Sequence, residues 1–309
     1  MMKLLKFMII NIIYSILIFN NCNSLENKIL FKVNNEIITS LDILTELEYL
    51  KAINKEFVKM KKEKTFEISK NSLVREKIKE IEIKRVVKEI KIEDKILDNL
   101  IIDYFKELDI KTILEFERYF VNKKINPNLI RKKISIELLW NQLIFSKYKK
   151  NVKIDKKLIK DNLSKNEKQK EFLISEILFN IEQNENLNTK LNLIEESIKK
   201  KSFSQTALIY SISNTANKGG KLGWVKESIL SKKIYNELKN LKNGDHTKPI
   251  IVPGGFLVLQ LLDVREAIKD SNIDEEVEKI INEKTNQQLN RYSNIYFNKV
   301  SKEIIINEF

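Results

Sequence analysis

From Ile29 to Ser40 the chain reads ILFKVNNEIITS, two short runs of β-prone residues broken at Asn34-Asn35, and this pattern predicts a hairpin. Ser40 and Asp42 then stand ready to cap a helix that starts near Leu41. From there to about Leu163 apolar residues recur at helical spacing, as at Ile96, Leu100, Ile101 and Tyr104, and again at Leu138, Leu139, Leu143 and Ile144. Pro127 suits the first turn of one of these helices, where its missing N–H costs nothing. Met60 to Lys70 is charged and unpatterned, which predicts a loop or a ragged helix end.

The period is lost between Asn162 and Lys170, predicting a linker and a domain boundary. A different texture follows. Phe172 to Phe179 (FLISEILF) predicts a buried strand, Leu187 to Lys201 and Phe203 to Tyr210 two helices, and Ser231 to Leu241 another. Two apolar runs joined by Pro253-Gly254-Gly255 predict a hairpin between Pro249 and Val264. The tail from Asp274 to Glu303 returns to one long amphipathic helix, with Val277, Ile280, Ile281, Leu289, Tyr292, Tyr296 and Val300 on its apolar face. A short β-prone run, Ile304 to Ile306, comes after it. The fold class is α+β: a mostly helical body, completed by the C-terminal helix, with a smaller mixed domain between.

Only 6 Gly and 3 Pro punctuate 309 residues, so the cluster Lys218 to Trp224 (KGGKLGW) stands out. The formal charge is +13, but Lys, Ile and Asn are spread through helices and loops alike. No recognition motif or aromatic-interleaved basic stripe accompanies the charge, which argues against a nucleic-acid site. Lys3, Lys6, the apolar run Phe7 to Phe19 and the end Cys22-Asn23-Ser24 read as a secretory signal peptide cleaved after Ser24, with an uncleaved anchor as the alternative. Lipidation at Cys22 is disfavoured by the bulky Phe19-Asn20-Asn21 before it. As Cys22 is the only cysteine, cleavage leaves a chain without a thiol for disulfide or metal chemistry. His246, the sole histidine, lies in a polar turn with no second imidazole to build a metal site or an acid–base pair. Neither phosphate-cradling loop nor ligand cluster calls for ATP, a metal or another cofactor. Trp140 and Trp224 are expected to be packing residues.

Several segments between Ile174 and Arg265 occur in the order of one family pattern: Ser175-Glu176-Ile177-Leu178, Phe203 with Ala207, Ser211-Ile212-Ser213, Gly219-Gly220-Lys221-Leu222-Gly223-Trp224, Gly244 to Pro249, and Gly255-Phe256-Leu257-Val258. This region resembles the parvulin-type peptidyl-prolyl isomerases. The flanks resemble the SurA group of periplasmic chaperones, through Ile29 to Ser40, Ile130 to Lys150 and Tyr292 to Ile306. The resemblance implies a signal peptide at 1–24, a SurA-like helical domain at 25–165, one parvulin domain of the FKBP-like superfold at 171–266, and a C-terminal helix and strand at 272–309 that pack on the N-terminal domain. Gly219, Gly220, Gly223 and Trp224 are its structural motif, the glycines giving close backbone approach beside a peptide-binding floor.

The resemblance places the family's catalytic positions at Glu176, Ser213 and Leu257, where active members carry histidine, Cys or Asp, and histidine. It places the substrate-binding floor at Leu222, Leu230, Ile234 and Phe256. A carboxylate facing a leucine does not reproduce a pair of imidazoles, and without a partner it would be costly to bury. The expected function is a periplasmic chaperone for unfolded exported or outer-membrane polypeptides, with a catalytically degenerate isomerase domain and peripheral or no membrane contact. An active isomerase with an altered site, or a membrane-tethered foldase, are the alternatives.

Overall fold

The computed structural model describes residues 27–164, 168–181, 185–268 and 272–309. The signal-peptide reading of residues 1–24, Cys22 included, lies outside the described residues. Among the described residues no helix is long and apolar enough to cross a membrane.

The chain opens with the hairpin β1 (Ile29–Val33) and β2 (Glu36–Thr39), turning through Asn34 at a positive φ of 49°. Helix α1 (Ser40–Ile53) is capped by Thr39 rather than by Ser40, which is already helical. Thr39 accepts from the Asp42 N–H, and the Asp42 carboxylate accepts from the Thr39 N–H at 2.8 Å, a reciprocal capping box. After the short turn α2 (Lys55–Val58), α3 runs unbroken from Lys62 to Lys84, so the expected loop at 60–70 is mostly helix. The reason lies in what α3 buries: Thr65, Ser69, Lys79, Glu80 and Glu82 point inward with Ile68, Leu73, Ile78 and Ile83. Polar residues on the inner face erase the periodicity that sequence reading depends on.

Helices α4 (Asp94–Phe105), α5 (Ile113–Asn122) and α6 (Pro127–Tyr148) complete the N-terminal part. Phe105, Phe116 and Phe120 pack at centroid separations of 5.2 to 5.7 Å, Phe120 edge-on to the other two, and form one core with Tyr49, Leu50, Phe57 and Ile101. A second core gathers Phe31, Val33, Ile38, Ile83, Trp140 and Ile144 with Tyr296 and Val300 of the tail helix.

Helix α7 (Lys156–Ser164) precedes β3 (Lys168–Phe179), which begins inside the stretch expected to be a linker. Gln169 and Glu171 are buried there: Gln169 donates to Glu276 at 3.2 Å, and Glu171 pairs with Arg265 at 2.7 Å. Next come α8 (Leu187–Lys200), α9 (Phe203–Tyr210), β4 (Lys221–Lys226), α10 (Lys232–Leu238), β5 (Ile250–Val252) and β6 (Gly255–Ile268). The four strands form one antiparallel sheet in the order β4-β3-β6-β5. Strand alternation divides its side chains. Phe172, Ile174, Leu178, Leu257, Leu259 and Leu261 pack against Ile234 and Leu238 of α10, while Ile177, Phe179 and Val258 pack against Ile194, Phe203 and Ala207 of α8 and α9.

The tail helix α11 (Ile273–Ser301) touches both parts. Its first turns bury Val277 and Ile280 against Ile159, Leu163 and Ile229, and its last turns enter the Trp140 core. Strand β7 (Ile306–Glu308) then pairs antiparallel with β1, giving the sheet β2-β1-β7. Trp140, fully buried, donates its indole N–H to Ser293 of α11 at 2.7 Å. Removing the hydroxyl strands a buried donor, and removing the ring leaves a large cavity. Urea unfolding should therefore show Ser293→Ala destabilised by about 1–3 kcal/mol and Trp140→Ala by about 3–5 kcal/mol.

Candidate functional site

The glycine cluster sets the site by bringing one loop against β3. Gly220 has φ of 78°, and a Cβ there would stand 2.2 Å from the Glu176 carbonyl oxygen, so no larger residue fits. The Glu176 N–H donates to the Gly220 carbonyl at 2.7 Å. One step earlier in the loop, the Ile212 N–H donates to the Leu178 carbonyl at 2.7 Å, and Ser211 Oγ accepts from the Leu178 N–H at 3.1 Å. The segment 211–220 is thus tied along β3 from Leu178 to Glu176.

This tie delivers hydroxyls to a carboxyl. Ser213 Oγ donates to Glu176 Oε1, and Thr215 Oγ1 donates to the same oxygen at 2.9 Å. Burial pushes the Glu176 carboxyl above its ordinary range, partly offset by these two donors. The partner that a buried carboxylate needs is thus present at Glu176, and Thr215 is the residue that sequence reading missed. Its signal was present in Ser211, Ser213 and Thr215, hydroxyls at every second position of the segment after α9.

Leu257 is buried and pairs across the strands with Leu178 and Ile250. Glu176 pairs with Leu259, two residues further along β6, so alternation sets Glu176 and Leu257 on the same sheet face. Ile234 and Leu230 pack on that face together with Leu257 and Ile212. Two of the expected floor residues do not join them. Phe256 lies on the opposite face, stacked on Phe179 at 5.6 Å, because strand neighbours alternate sides. Leu222 is the extra residue of a bulge, since Gly223 pairs with Ile174 and Lys221 with Ser175, and it remains 40% exposed. Gly219, with φ of 71°, closes the short turn Ala216–Lys218 within that loop, and Gly223, with φ of 81°, forms the bulge. Trp224 is not a core residue but sits exposed, with the Arg265 guanidinium 4.1 Å from its ring. His246 lies 3.5 Å from Glu195 and beside Phe203, on the face opposite Ile234. Among the described residues no group of His, Cys, Asp and Glu could hold a metal ion.

Residues 172–263 match the family model of the Rotamase, the PPIC-type PPIASE domain. The central domain is a parvulin-type domain. Among solved structures, a PpiC-type peptidyl-prolyl cis-trans isomerase domain is 28% identical over 33% of this chain and 96% of its own, with a TM-score of 0.29. PrsA from Bacillus subtilis is 18% identical over 90% of this chain and 93% of its own, at 0.29. A structure from work on PEB4 and Cj1289, described as SurA-like chaperones in Campylobacter jejuni, is 15% identical over 92% of this chain and 99% of its own, at 0.35. With TM-scores this low the assignment rests on the family match alone. No curated protein matches the chain in sequence.

In this parvulin domain a carboxyl with two hydroxyl donors occupies one side of the site and a buried leucine the other. Because the fold raises the Glu176 pKa, it favours the neutral acid. The resulting cost is absent below the unfolded-state pKa and grows as pH rises through the folded one. Glu176→Gln keeps an acceptor for Ser213 and Thr215 without the charge. Its melting temperature relative to the parent should therefore rise from about pH 4 to pH 7; a relative melting temperature that falls over that range would show that the ionised form is the stabilised one.

Proposed function

We propose that this chain is an exported, periplasmic folding chaperone of the SurA-like kind, whose parvulin domain binds polypeptide but does not isomerise it. The observation that carries this reading is the pair Glu176 and Leu257 at the family's two histidine positions. Rotation about a peptide bond meets a barrier of about 18–20 kcal/mol. The substitution of a hydroxyl-bound carboxyl and a buried leucine for two imidazoles removes the polar cluster with which parvulins act on that barrier. Leu230, half-buried over the buried Ile234 and Leu257, is the apolar side chain on that face that a client can reach.

Clients in this reading are unfolded exported or outer-membrane polypeptides, held without ATP, metal or nucleic acid. The excess of basic residues favours solubility and attraction to acidic client chains. The helical body and tail carry the holding activity, and the parvulin domain contributes to it.

Two measurements test the proposal. In a proline-peptide assay the rate constant should lie at background, and a rate comparable to active parvulins that Leu230→Ala abolishes would overturn the loss of catalysis. In light scattering the protein should suppress aggregation of an unfolded β-barrel protein at near-stoichiometric amounts, and the activity should survive deletion of residues 171–266. Absence of suppression by the undeleted protein would overturn the chaperone reading.

A further inference from the structure

A cleft of about 580 Å³ lies between the helical body and the parvulin domain. Helices α1, α3, α4 and α6 form one wall, residues 208–217 the other, and Phe297 of α11 closes an end. Its volume is that of a ligand site rather than a packing defect. Val74, Leu100, Leu138, Ile209 and the rings of Tyr49 and Tyr104 supply apolar surface.

The charges that line the cleft are nearly all matched. Lys133 lies 2.6 Å from Glu46 and also contacts Glu76. Lys79 lies 2.6 Å from Glu137, and Asp103 at the rim lies 2.8 Å from Lys106. Glu76 is the surplus carboxyl, and burial pushes it above its ordinary range, so it adds less negative charge than its formula suggests. Arg75 is different. Among the described residues its guanidinium forms no ion pair, and its one hydrogen bond is from Nη2 to the Ile212 carbonyl of the parvulin loop. The Phe297 ring lies 5.2 Å from it. Burial pulls the Arg75 pKa down, with Glu137 the carboxylate whose field partly offsets this. A guanidinium has five N–H donors in a planar fork suited to a carboxylate. A half-buried cation with no counter-ion within ion-pair distance is costly, and an arriving anion would relieve that cost.

We propose that this cleft binds the carboxylate of an apolar polypeptide segment, with Arg75 as its receptor and the chain terminus as its source. A terminal carboxylate comes attached to apolar side chains that the cleft walls can cover, whereas an acidic side chain brings a second polar backbone stretch past the same walls. The proposal deepens the chaperone reading by naming one feature of the client that the cleft recognises, in addition to the holding done by the helical body, and it rests on that reading for the nature of the ligand.

The test is fluorescence anisotropy with the full chain and a short apolar peptide labelled at its N-terminus, made as the free acid, as the C-terminal amide, and as an amide with one internal Asp. The free acid should bind about tenfold more tightly than the plain amide. Arg75→Gln should erase that ratio, Arg75→Lys should restore part of it, and circular dichroism should report whether each variant is folded. Leu138→Trp, which fills the cleft without removing Arg75, should weaken the acid and the amide alike. Equal binding of acid and amide by the parent protein overturns the proposal, as does undiminished affinity in a folded Leu138→Trp. An Asp peptide that binds like the free acid moves the source to side chains, and one that binds like the plain amide assigns it to the terminus. Suppression of aggregation without any acid–amide difference would reject the carboxylate site while leaving the chaperone reading intact.

Discussion

The loop from Ser211 to Gly220 is bonded on two sides at once, and both the site and the cleft depend on it. Toward the sheet it meets β3 through Leu178 and Glu176. Toward the body, Ile212 accepts from Arg75, Asn217 donates to Ser72 at 3.3 Å and its carbonyl accepts from Asn54 at 3.2 Å. Lys218 donates to the Tyr104 carbonyl at 3.0 Å and lies 4.0 Å from that ring. Moving this loop would therefore alter the hydroxyls around Glu176 and the wall of the cleft together. Gly220 makes the arrangement possible, since any Cβ would drive the loop off the strand.

Much of the architecture could be read from the residues because local pattern and tertiary burial agree there. Helix α9 spans the predicted Phe203 to Tyr210, and the Pro253-Gly254-Gly255 turn joins β5 to β6 as expected. Where reading failed, polar residues had been buried with partners. Helix α3 hides Lys79, Glu80 and Glu82 behind ion pairs with Glu137, Lys132 and Arg85, so its inner face does not look apolar. Strand β3 begins with Gln169 and Glu171, buried by partners that lie about a hundred residues away. No window of sequence contains both members of such pairs.

The site shows a second kind of limit. A family pattern places residues along the chain and carries no information about which face a side chain takes. A bulge at Leu222 and the alternation at Phe256 each turned an expected floor residue away from Ile234. Conversely, Thr215 was legible as the third of three alternating hydroxyls, but its role depends on Glu176, 39 positions earlier.

These features bear on what the domain can still do. The backbone frame, with its four antiparallel strands and its close glycine contact, is made through main-chain atoms. Glu176 is accommodated because Ser213 and Thr215 donate to it, and Leu257 because Leu230 and Ile234 cover it. Each of these two side chains is therefore accommodated locally, within continuous antiparallel pairing of β3 and β6 from Ile174 to Phe179. Held in this way, Glu176 and Leu257 leave the loop bonded to β3 on one side. Its second set of bonds, to Arg75, Ser72 and Asn54, makes the same loop one wall of the cleft against the helical body.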